Sequence, residues 1–438
     1  MFLWGTATAA YQIEGATGED GRGPSIWDTF AREPGRTRDG HTGDVACDHY
    51  HRWREDVALM ADLGVNAYRF SIAWPRVLPD GAGQVNGRGL DFYDRLVDAL
   101  LAAGVQPVPT LFHWDLPQAL EDRGGWLNRD VAELFADYAG VVAARLADRV
   151  PLWITLNEPF VHMAFGYAMG LHAPRPRPDD RRPARRAPPV ARPRPRGGGA
   201  QGGRRAPGGA DQQLHPGLAR LVAGAGRTGR RGVRHPAQPP VHRPGADRRL
   251  PRPVGLHRRP RLRQGRRPGD RLGPPSTRWA STTTTPPASP PPTDEGLPFT
   301  DAGITGHPTT AFGWPVVPDG LRELLTGLKS RYGAALPPIL VTENGCSQPD
   351  VPGPDGTIDD AGRIAFLDGH IAALRRAMDE GVDVRGYFVW SLIDNFEWAE
   401  GYHQRFGLVH VDHATQRRTP KRSYHWYRDF LRAQNTDT

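Results

Sequence analysis

Thr155-Leu156-Asn157-Glu158-Pro159 places an amide and a carboxylic acid directly after the apolar run 152–156. The apolar run predicts a short buried strand, and Pro159 ends it just after Glu158. A second stretch has the same design, because the β-branched run 338–342 predicts a strand and leads into Glu343-Asn344-Gly345. Both acids are therefore expected at the carboxyl ends of parallel strands, the face on which barrel enzymes carry their chemistry.

Two glutamates in such positions indicate one class of reaction. Two carboxyl groups, each at the carboxyl end of a parallel strand, are what hydrolysis of a glycosidic bond by double displacement requires. One carboxyl group must be ionised to attack the sugar, and the other must begin protonated to assist the leaving group. A lone glutamate after a strand is usually only a solvated strand-end residue, so the inference depends on the pair.

The rest of the sequence alternates strand and helix around these two stretches. Further strands are predicted at residues 2–8, 65–71, 105–111 and 384–390. Amphipathic helices are predicted at residues 51–63, 89–103, 131–146, 314–331 and 363–380. Such alternation predicts parallel βα units, so the expected fold class is α/β.

Composition limits the other possibilities. A chain of 438 residues with 38% hydrophobic content can bury a large core, and its 12 Trp offer flat faces for sugar rings. Its two cysteines, Cys47 and Cys346, imply no disulfide framework and favour the cytoplasm. We expect no signal peptide, because Met1 leads into the sequence without a basic and apolar leader. No run is long enough to predict a membrane span.

The charge of the chain is unevenly distributed. Residues 174–292 hold 28 Arg and 5 Asp, a local charge of +23, whereas the remainder carries −15 and the whole chain +8. This stretch contains no Phe, Tyr, Ile, Met, Lys, Asn or Glu. It cannot bury enough apolar surface to offset its chain entropy, so it is predicted to be disordered. The predicted organisation is one barrel in two parts, 1–173 and 294–438, interrupted by a low-complexity segment, 174–293.

Seven stretches of the sequence form one combination of motifs: Phe2-Leu3-Trp4-Gly5-Thr6-Ala7-Thr8, Tyr11-Gln12-Ile13-Glu14-Gly15, Tyr68-Arg69-Phe70-Ser71, Phe112-His113-Trp114-Asp115, residues 155–159, residues 342–345 and Asn395-Phe396-Glu397-Trp398. With these motifs the chain resembles family 1 glycoside hydrolases, above all bacterial β-glucosidases, over residues 2–173 and about 294–430. The resemblance implies a (β/α)8 barrel that acts with retention of configuration. Neither a cofactor nor a metal ion is expected.

The resemblance also implies roles for individual residues. Glu343 would be the nucleophile and Glu158 the acid/base, with Arg69 and Asn344 beside the nucleophile. The sugar would be bound by Gln12, His113, Trp114, Asn157, Trp390, Glu397 and Trp398. The chemistry asks for the same residue types, since a neighbouring arginine favours an ionised nucleophile and an amide beside the acid suits a sugar hydroxyl. From spacing alone, His113, Trp390 and Trp398 could equally be packed core residues.

The carboxylate of Glu397 bears on the substrate. Members of the family that act on phosphorylated sugars resemble one another in having serine at this position with a lysine nearby, because a carboxylate would repel the phosphate. The expected substrate is therefore a neutral small molecule, a β-glucoside or cello-oligosaccharide used in carbohydrate catabolism. Galactosides and fucosides remain open, as does glycosyl transfer instead of hydrolysis.

The family pattern fails between Ala173 and Asp294, where strands five and six should lie. The family's Asn-Tyr-Tyr segment is missing with them. Arg, Pro, Gly and Ala are the residues whose codons begin with two G or C bases, so an out-of-frame reading of GC-rich DNA produces this mixture. Shifting residues 279–284 by one base permits Leu-Gly-Val-Asn-Tyr-Tyr. We therefore hypothesise that the segment is a frameshifted copy of strands five and six.

The arginine-rich segment also permits two interpretations of the chain other than an active β-glucosidase. The chain could be an inactive barrel remnant, or its arginines could bind nucleic acid or another anionic surface. The segment offers only Trp279 for base stacking and no regular arginine pattern, which argues against nucleic acid.

Overall fold

The computed structural model describes residues 1–175, 279–282 and 305–436. Its centre is a curled sheet of seven parallel strands in the order β4-β3-β2-β1-β7-β6-β5. These strands are β1 (Leu3–Ala7), β2 (Ala67–Ser71), β3 (Gln106–Phe112), β4 (Ile154–Leu156), β5 (Trp279–Thr282), β6 (Ile339–Asn344) and β7 (Val384–Trp390). Two further strands, β8 (Val409–Asp412) and β9 (Arg417–Pro420), form a separate antiparallel hairpin.

Helices follow the strands and cover the outside of the sheet. They are α1 (Ala10–Ile13), α2 (Ile26–Arg32), α3 (His49–Leu63), α4 (Trp74–Val77), α5 (Gly87–Ala102), α6 (Gln118–Glu121), α7 (Asp130–Leu146), α8 (Pro159–Val161), α9 (Pro318–Tyr332), α10 (Ala361–Asp379) and α11 (Arg422–Thr436). The longer helices bury one apolar face, as α5 does with Phe92, Leu96 and Leu100. No helix in the described part of the chain is long and apolar enough to cross a bilayer.

The connectivity is that of a barrel. β1 pairs in parallel with β2 on one side and with β7, the last strand of the sheet in the sequence, on the other. The first and last strands of a (β/α)8 barrel are neighbours in this way, because the sheet curls round until it meets itself. Among the described strands, β4 and β5 each pair on one side only.

The structure confirms the predicted strands and helices with small shifts at their ends. The largest shift is in α9, which begins at Pro318 and not at residue 314. Proline is favoured at the first position of a helix, and Pro315 before it forms an extended bridge with Thr309. A second shift matters for the site, since β6 continues to Asn344 and thus contains Glu343. The hairpin β8–β9 and helix α11 were not predicted.

Most of the segment 174–293 lies outside the described residues. The prediction that this segment is disordered therefore concerns residues that the structure does not describe. The described part of the segment includes β5, which pairs in parallel with β6 from Trp279↔Ile339 to Thr282↔Glu343. A strand therefore occupies the sheet position beside the one that carries Glu343, and the prediction that strands five and six are both missing is not confirmed.

Candidate active site

The candidate active site begins with an ion pair between β2 and β6, two strands that are separated in the sheet by β1 and β7. Arg69 near the end of β2 is 1% exposed, and its Nη1 contacts Glu343 Oε1 on β6. The Glu343 side chain is 14% exposed, so part of it is accessible at the end of the sheet. Its carboxyl group is at the same time paired with the buried Arg69 guanidinium. Gly345 permits this path, because a Cβ there would lie 1.7 Å from the carbonyl oxygen of Trp390.

Each nitrogen of the Arg69 guanidinium has its own partner. Nε donates to Thr110 Oγ1 at 3.0 Å, and Nη2 donates to Asn157 Oδ1 at 2.7 Å. Since Nη1 contacts Glu343, one planar side chain positions residues from β2, β3, β6 and the segment after β4. The arrangement fixes Asn157 and Glu343 relative to each other.

Burial and Arg69 act on Glu343 in opposite directions. Loss of solvent raises the pKa of the Glu343 carboxyl above its ordinary value, and the Arg69 guanidinium opposes that rise. The arginine therefore acts as the sequence predicted, but burial is the larger effect. The carboxylate is a desolvated and more basic group, which suits a nucleophile.

His113 is a neutral ring that accepts a hydrogen bond from Asn157. Because Asn157 Oδ1 accepts from Arg69, its amide nitrogen Nδ2 is the group that faces His113 Nε2, at 3.0 Å. Burial and the nearby Arg69 charge lower the pKa of His113 well below its ordinary value. The proton of the neutral ring then lies on Nδ1, which has no hydrogen-bond partner among the described residues.

Gln12 and Glu397 form the opposite wall. Gln12 Nε2 donates to Asn395 Oδ1 at 3.2 Å, to the Phe396 carbonyl oxygen at 3.0 Å and to Glu397 Oε2 at 3.3 Å. Gln12 Oε1 is buried and unpartnered within the described structure. A buried acceptor and a buried donor without partners are costly, and two sugar hydroxyl groups would satisfy Gln12 Oε1 and His113 Nδ1.

Three carboxyl groups converge here. Burial, followed by the charges of Glu343 and Glu158, raises the pKa of Glu397 to about 8. The mutual repulsion shows that Glu158, Glu343 and Glu397 share one electrostatic environment. A pKa of about 8 leaves Glu397 mainly protonated at neutral pH.

Three residues of the site have a left-handed backbone. These are Glu158 with φ 37°, Trp114 with φ 73° and Trp398 with φ 47°. Such a backbone costs about 1–3 kcal/mol for each residue that is not glycine, and it concentrates at functional sites. It turns the Glu158 side chain out of the direction of β4 at the point where Pro159 starts α8.

Aromatic rings line the rest of the site. His113 stacks near Trp390 and Trp398, with a distance of 5.9 Å between ring centroids in both cases. Trp398 is supported from behind by Trp114 and Trp27, at centroid distances of 4.7 and 4.6 Å. Flat, buried rings that keep a small exposed edge can carry the apolar face of a sugar.

The structure thus brings the residues predicted from sequence into one region at the carboxyl ends of the strands. The side-chain oxygen of Asn344 contacts the neighbouring strand β7, since its Oδ1 accepts a hydrogen bond from Tyr387 Oη at 2.6 Å. Thr110 and Tyr387 were not predicted. Both lie on strands adjacent to a site residue, and strand register would have been needed to identify them. Within the described residues, the one cluster of His and acidic groups close enough to share a metal ion lies elsewhere, at Asp39, His41 and His403.

Comparison with known proteins agrees with this geometry. The model of the family described as Glycosyl hydrolase family 1 matches residues 1–186 and 276–436. The chain is 43% identical to the thermostable beta-glucosidase B of Thermobispora bispora, over 98% of this chain and 90% of that protein. It is 41% identical to beta-glucosidase A of Thermotoga maritima, over 98% and 97% of the two chains.

Solved structures give the same result. A family 1 β-glucosidase from Thermotoga maritima superposes with a TM-score of 0.72 at 33% identity, covering 98% of this chain and 97% of that one. The same enzyme in complex with deoxynojirimycin matches with a TM-score of 0.71 at 33% identity and the same coverage. The resemblance stated from the sequence motifs is confirmed.

Proposed function

Since this chain belongs to glycosyl hydrolase family 1 and is a retaining β-glucosidase of carbohydrate catabolism, we propose that Glu343 is its nucleophile and Glu158 its acid/base. The observation that carries this assignment is the contact of Glu343 with the buried guanidinium of Arg69. The guanidinium favours the charged form of Glu343 against the effect of burial, while Glu158 lies on a separate loop with a turned backbone. Retaining glycosidases place the two groups roughly 5–5.5 Å apart.

The first chemical step breaks the glycosidic bond. A Glu343 carboxylate oxygen attacks the anomeric carbon while the Glu158 carboxylic acid gives its proton to the departing glycosidic oxygen. A glycosyl ester of Glu343 and a free alcohol result. Asn157, fixed by Arg69, is placed to hold the sugar hydroxyl next to the anomeric carbon.

The second step restores the enzyme. The charge of Glu343 is lost in the ester, so the repulsion that favoured a protonated Glu158 falls and Glu158 can act as a base. Its carboxylate takes a proton from water, the water oxygen attacks the anomeric carbon, and Glu343 leaves as a carboxylate. The sugar is released with its original configuration.

We propose a terminal, non-reducing β-D-glucosyl unit as the substrate group. Gln12, His113 and Glu397 offer an acceptor, a donor and a carboxyl group to adjacent hydroxyl groups, and Trp390 and Trp398 offer flat rings. A phosphate would meet three carboxyl groups, so a neutral sugar is favoured. Fucosides are a second candidate, because a relative from Bifidobacterium breve, 42% identical over 98% of this chain, is named a bifunctional beta-D-glucosidase/beta-D-fucosidase.

The role assignment is tested by two single variants. Glu343→Gln should remove turnover of all substrates, because no glycosyl ester can form. Glu158→Gln should keep the first step with a nitrophenyl glucoside, whose leaving group needs no proton, and azide should partly restore turnover. Steady-state and burst kinetics measure both. Equal loss in both variants on every substrate, with no rescue by azide, would show the roles to be misassigned.

Two further proposals concern the chain as a whole. We place it in the cytoplasm, because Cys47 and Cys346 are both free thiols in buried positions. We also propose that residues 174–293 derive from a frameshift. The two ranges matched by the family model leave residues 187–275 between them, and this part holds 21 of the 28 Arg of residues 174–292. Sequencing the DNA across codons 174 to 293 tests the second proposal.

A further inference from the structure

Asp39, His41 and His403 form a cluster at the rim of the molecule, outside the candidate active site. Asp39 lies in the single 3-10 turn Arg38–Gly40, and His41 follows that turn directly. His403 lies in the loop that follows the 3-10 turn Trp398–Glu400. The cluster therefore joins two loops that are distant in sequence, and we call it the rim cluster.

The three side chains of the rim cluster point at one another. One nitrogen or oxygen atom from each lies within 4.8 Å of the other two. His403 Nε2 and Asp39 Oδ2 are 2.5 Å apart, and the rings of His41 and His403 stack with centroids 5.5 Å apart and planes 29° from parallel. Asp39 is 65% exposed and His403 34% exposed, so the cluster is open to solvent and to ions.

We propose that the rim cluster binds a divalent transition-metal ion, with Zn²⁺ as the best match. Two imidazoles and one carboxylate are a donor set that suits Zn²⁺, whereas Mg²⁺ and Ca²⁺ prefer oxygen ligands alone. Zinc sits about 2.0–2.2 Å from such atoms, so two of its ligand atoms lie at most about 4.4 Å apart. Binding would therefore draw His41 toward the other two ligands and replace the hydrogen bond between His403 and Asp39. Water would complete the coordination.

The hydrogen bonding of His41 agrees with this donor role. Its Nδ1 accepts a long hydrogen bond of 3.3 Å from the Tyr402 backbone nitrogen. A metal ion that takes the Nδ1 lone pair displaces only that weak contact.

A metal ion here would tie the rim loops together. Two other contacts already cross the same gap, namely the ion pair of Arg38 with Glu400 at 3.3 Å and the hydrogen bond from Tyr402 Oη to the Thr42 carbonyl at 2.7 Å. The loop of His403 is continuous with Glu397 and Trp398. The bound ion touches no sugar and takes no part in the chemistry, and its effect is on the stability of the loop that carries them.

The experiment is a titration of the full chain with Zn²⁺, followed by calorimetry, and with Co²⁺, followed by visible absorption. We expect one ion per chain, with affinity at least about tenfold weaker in His403→Gln and in Asp39→Asn. The matched control is His51→Gln, because His51 is also an exposed histidine between carboxylates, Asp48 and Glu19, but has no second imidazole. Its affinity should equal that of the unaltered chain.

Thermal unfolding provides the second readout. The Tm of the unaltered chain and of His51→Gln should rise with Zn²⁺ concentration, while that of His403→Gln should not. The Tm values without metal show whether each variant keeps its fold, and Asp39→Asn provides an independent removal of one ligand. The proposal is wrong if the unaltered chain binds no ion at about 100 µM Zn²⁺, or if both cluster variants bind as tightly as the control.

Discussion

At the scale of single residues, Arg69 contributes most to the order of the site. Its three nitrogens contact Thr110, Glu343 and Asn157, and no other residue type has three donors in one rigid plane. A lysine at this position could keep the charge near Glu343 but would release the other two partners. An Arg69→Lys variant can therefore separate the effect of the positive charge on Glu343 from the positioning of Thr110 and Asn157.

We predict that Arg69→Lys lowers kcat/KM by about 100-fold, because a displacement of Asn157 or Glu343 by a fraction of an ångström misaligns the reaction. The effect should fall mainly on kcat. The control is Arg385→Lys, since Arg385 pairs with Asp383 on the exposed surface and should change neither constant. An Arg69→Lys variant with normal kcat would show that the charge alone is sufficient.

Asp115 has an unusual position beside the site. It is fully buried, and neither of its carboxylate oxygens has a hydrogen-bond partner within the described structure. Burial raises its pKa to about 8, against the opposing charge of Arg22. The folded chain therefore holds a proton that the unfolded chain releases from about pH 4 upward, so this residue makes the fold less stable as the pH rises toward 8.

We predict that Asp115→Asn gains stability over the unaltered chain as pH increases, because an amide of the same shape cannot ionise. The Tm difference between the two should be larger at pH 8 than at pH 5.5. The control is Asp355→Asn. The exposed Asp355 carboxyl has a pKa lowered by Thr357, so it is ionised throughout this range and its Tm difference should stay constant. A constant difference for Asp115→Asn as well would refute the prediction.

The sequence allowed the site residues at strand ends to be predicted, but not the residues that hydrogen-bond to them and fix their positions. Glu158 and Glu343 follow apolar runs, and the positions of strands can be inferred from such runs. Thr110 could not be found in this way, because its contact with Arg69 depends on the register of β2 against β3. The raised pKa of Glu397 also depends on three-dimensional proximity to Glu158 and Glu343.

At the scale of elements, periodicity predicted helices and strands where one face is buried. The β8–β9 hairpin was not predicted, because its strands have only four residues each and carry polar side chains such as His410 and Arg418. Its contribution becomes visible only in contacts. Arg418 pairs with the buried Asp56 of α3 at 3.0 Å, so the hairpin is anchored to the opposite end of the chain.

A buried charge network joins the loops after β6 and β7. Lys421, just after β9, is fully buried and contacts Asp350 and, at 2.7 Å, Asp394. Asp350 also pairs with Arg363 of α10, and Asp394 with Arg405. Although burial opposes ionisation, Lys421 and Arg405 keep the pKa of Asp394 below its ordinary value. Asp394 lies three residues before Glu397, so the network supports the wall of the site.

We predict that Lys421→Met destabilises the fold by about 3 kcal/mol, because it leaves two buried carboxylates with one cation each. Urea unfolding measures the change. Arg422→Ala is the control, since the neighbouring Arg422 pairs with Asp359 in solvent and should contribute little. If the Lys421→Met and Arg422→Ala variants had the same free energy of unfolding, the buried charge network would make no measurable contribution to stability.

At the scale of the whole molecule, the chain combines two unlike parts. Residues outside 174–292 carry a net charge of −15 and supply six of the seven strands of the sheet. The segment 174–292 carries +23 and includes β5. A (β/α)8 barrel needs eight strands so that no backbone group at an edge is left unpaired. The family model matches residues 1–186 and 276–436, so it extends into both ends of this segment and includes β5.

Our last prediction compares the chain as given with the product of a frame-corrected gene. Restoring the frame across residues 174–293 should supply the eighth strand, give β5 the sequence of the family's strand six, and replace a strongly basic segment with apolar residues that can be buried. The corrected protein should therefore be expressed in larger amounts and hydrolyse a nitrophenyl β-glucoside, whereas the 438-residue chain should show weak activity or none.

Side-by-side expression in one host, with activity measured per amount of folded protein, separates a folding defect from a catalytic one. The Glu343→Gln variant of the corrected protein is the control, because it should fold normally and remain inactive. Full activity of the 438-residue chain would contradict the prediction. In that case the arginine-rich segment itself would have to complete the barrel, and the apolar surface that closes it would have to come from the few Leu and Val residues in 174–293.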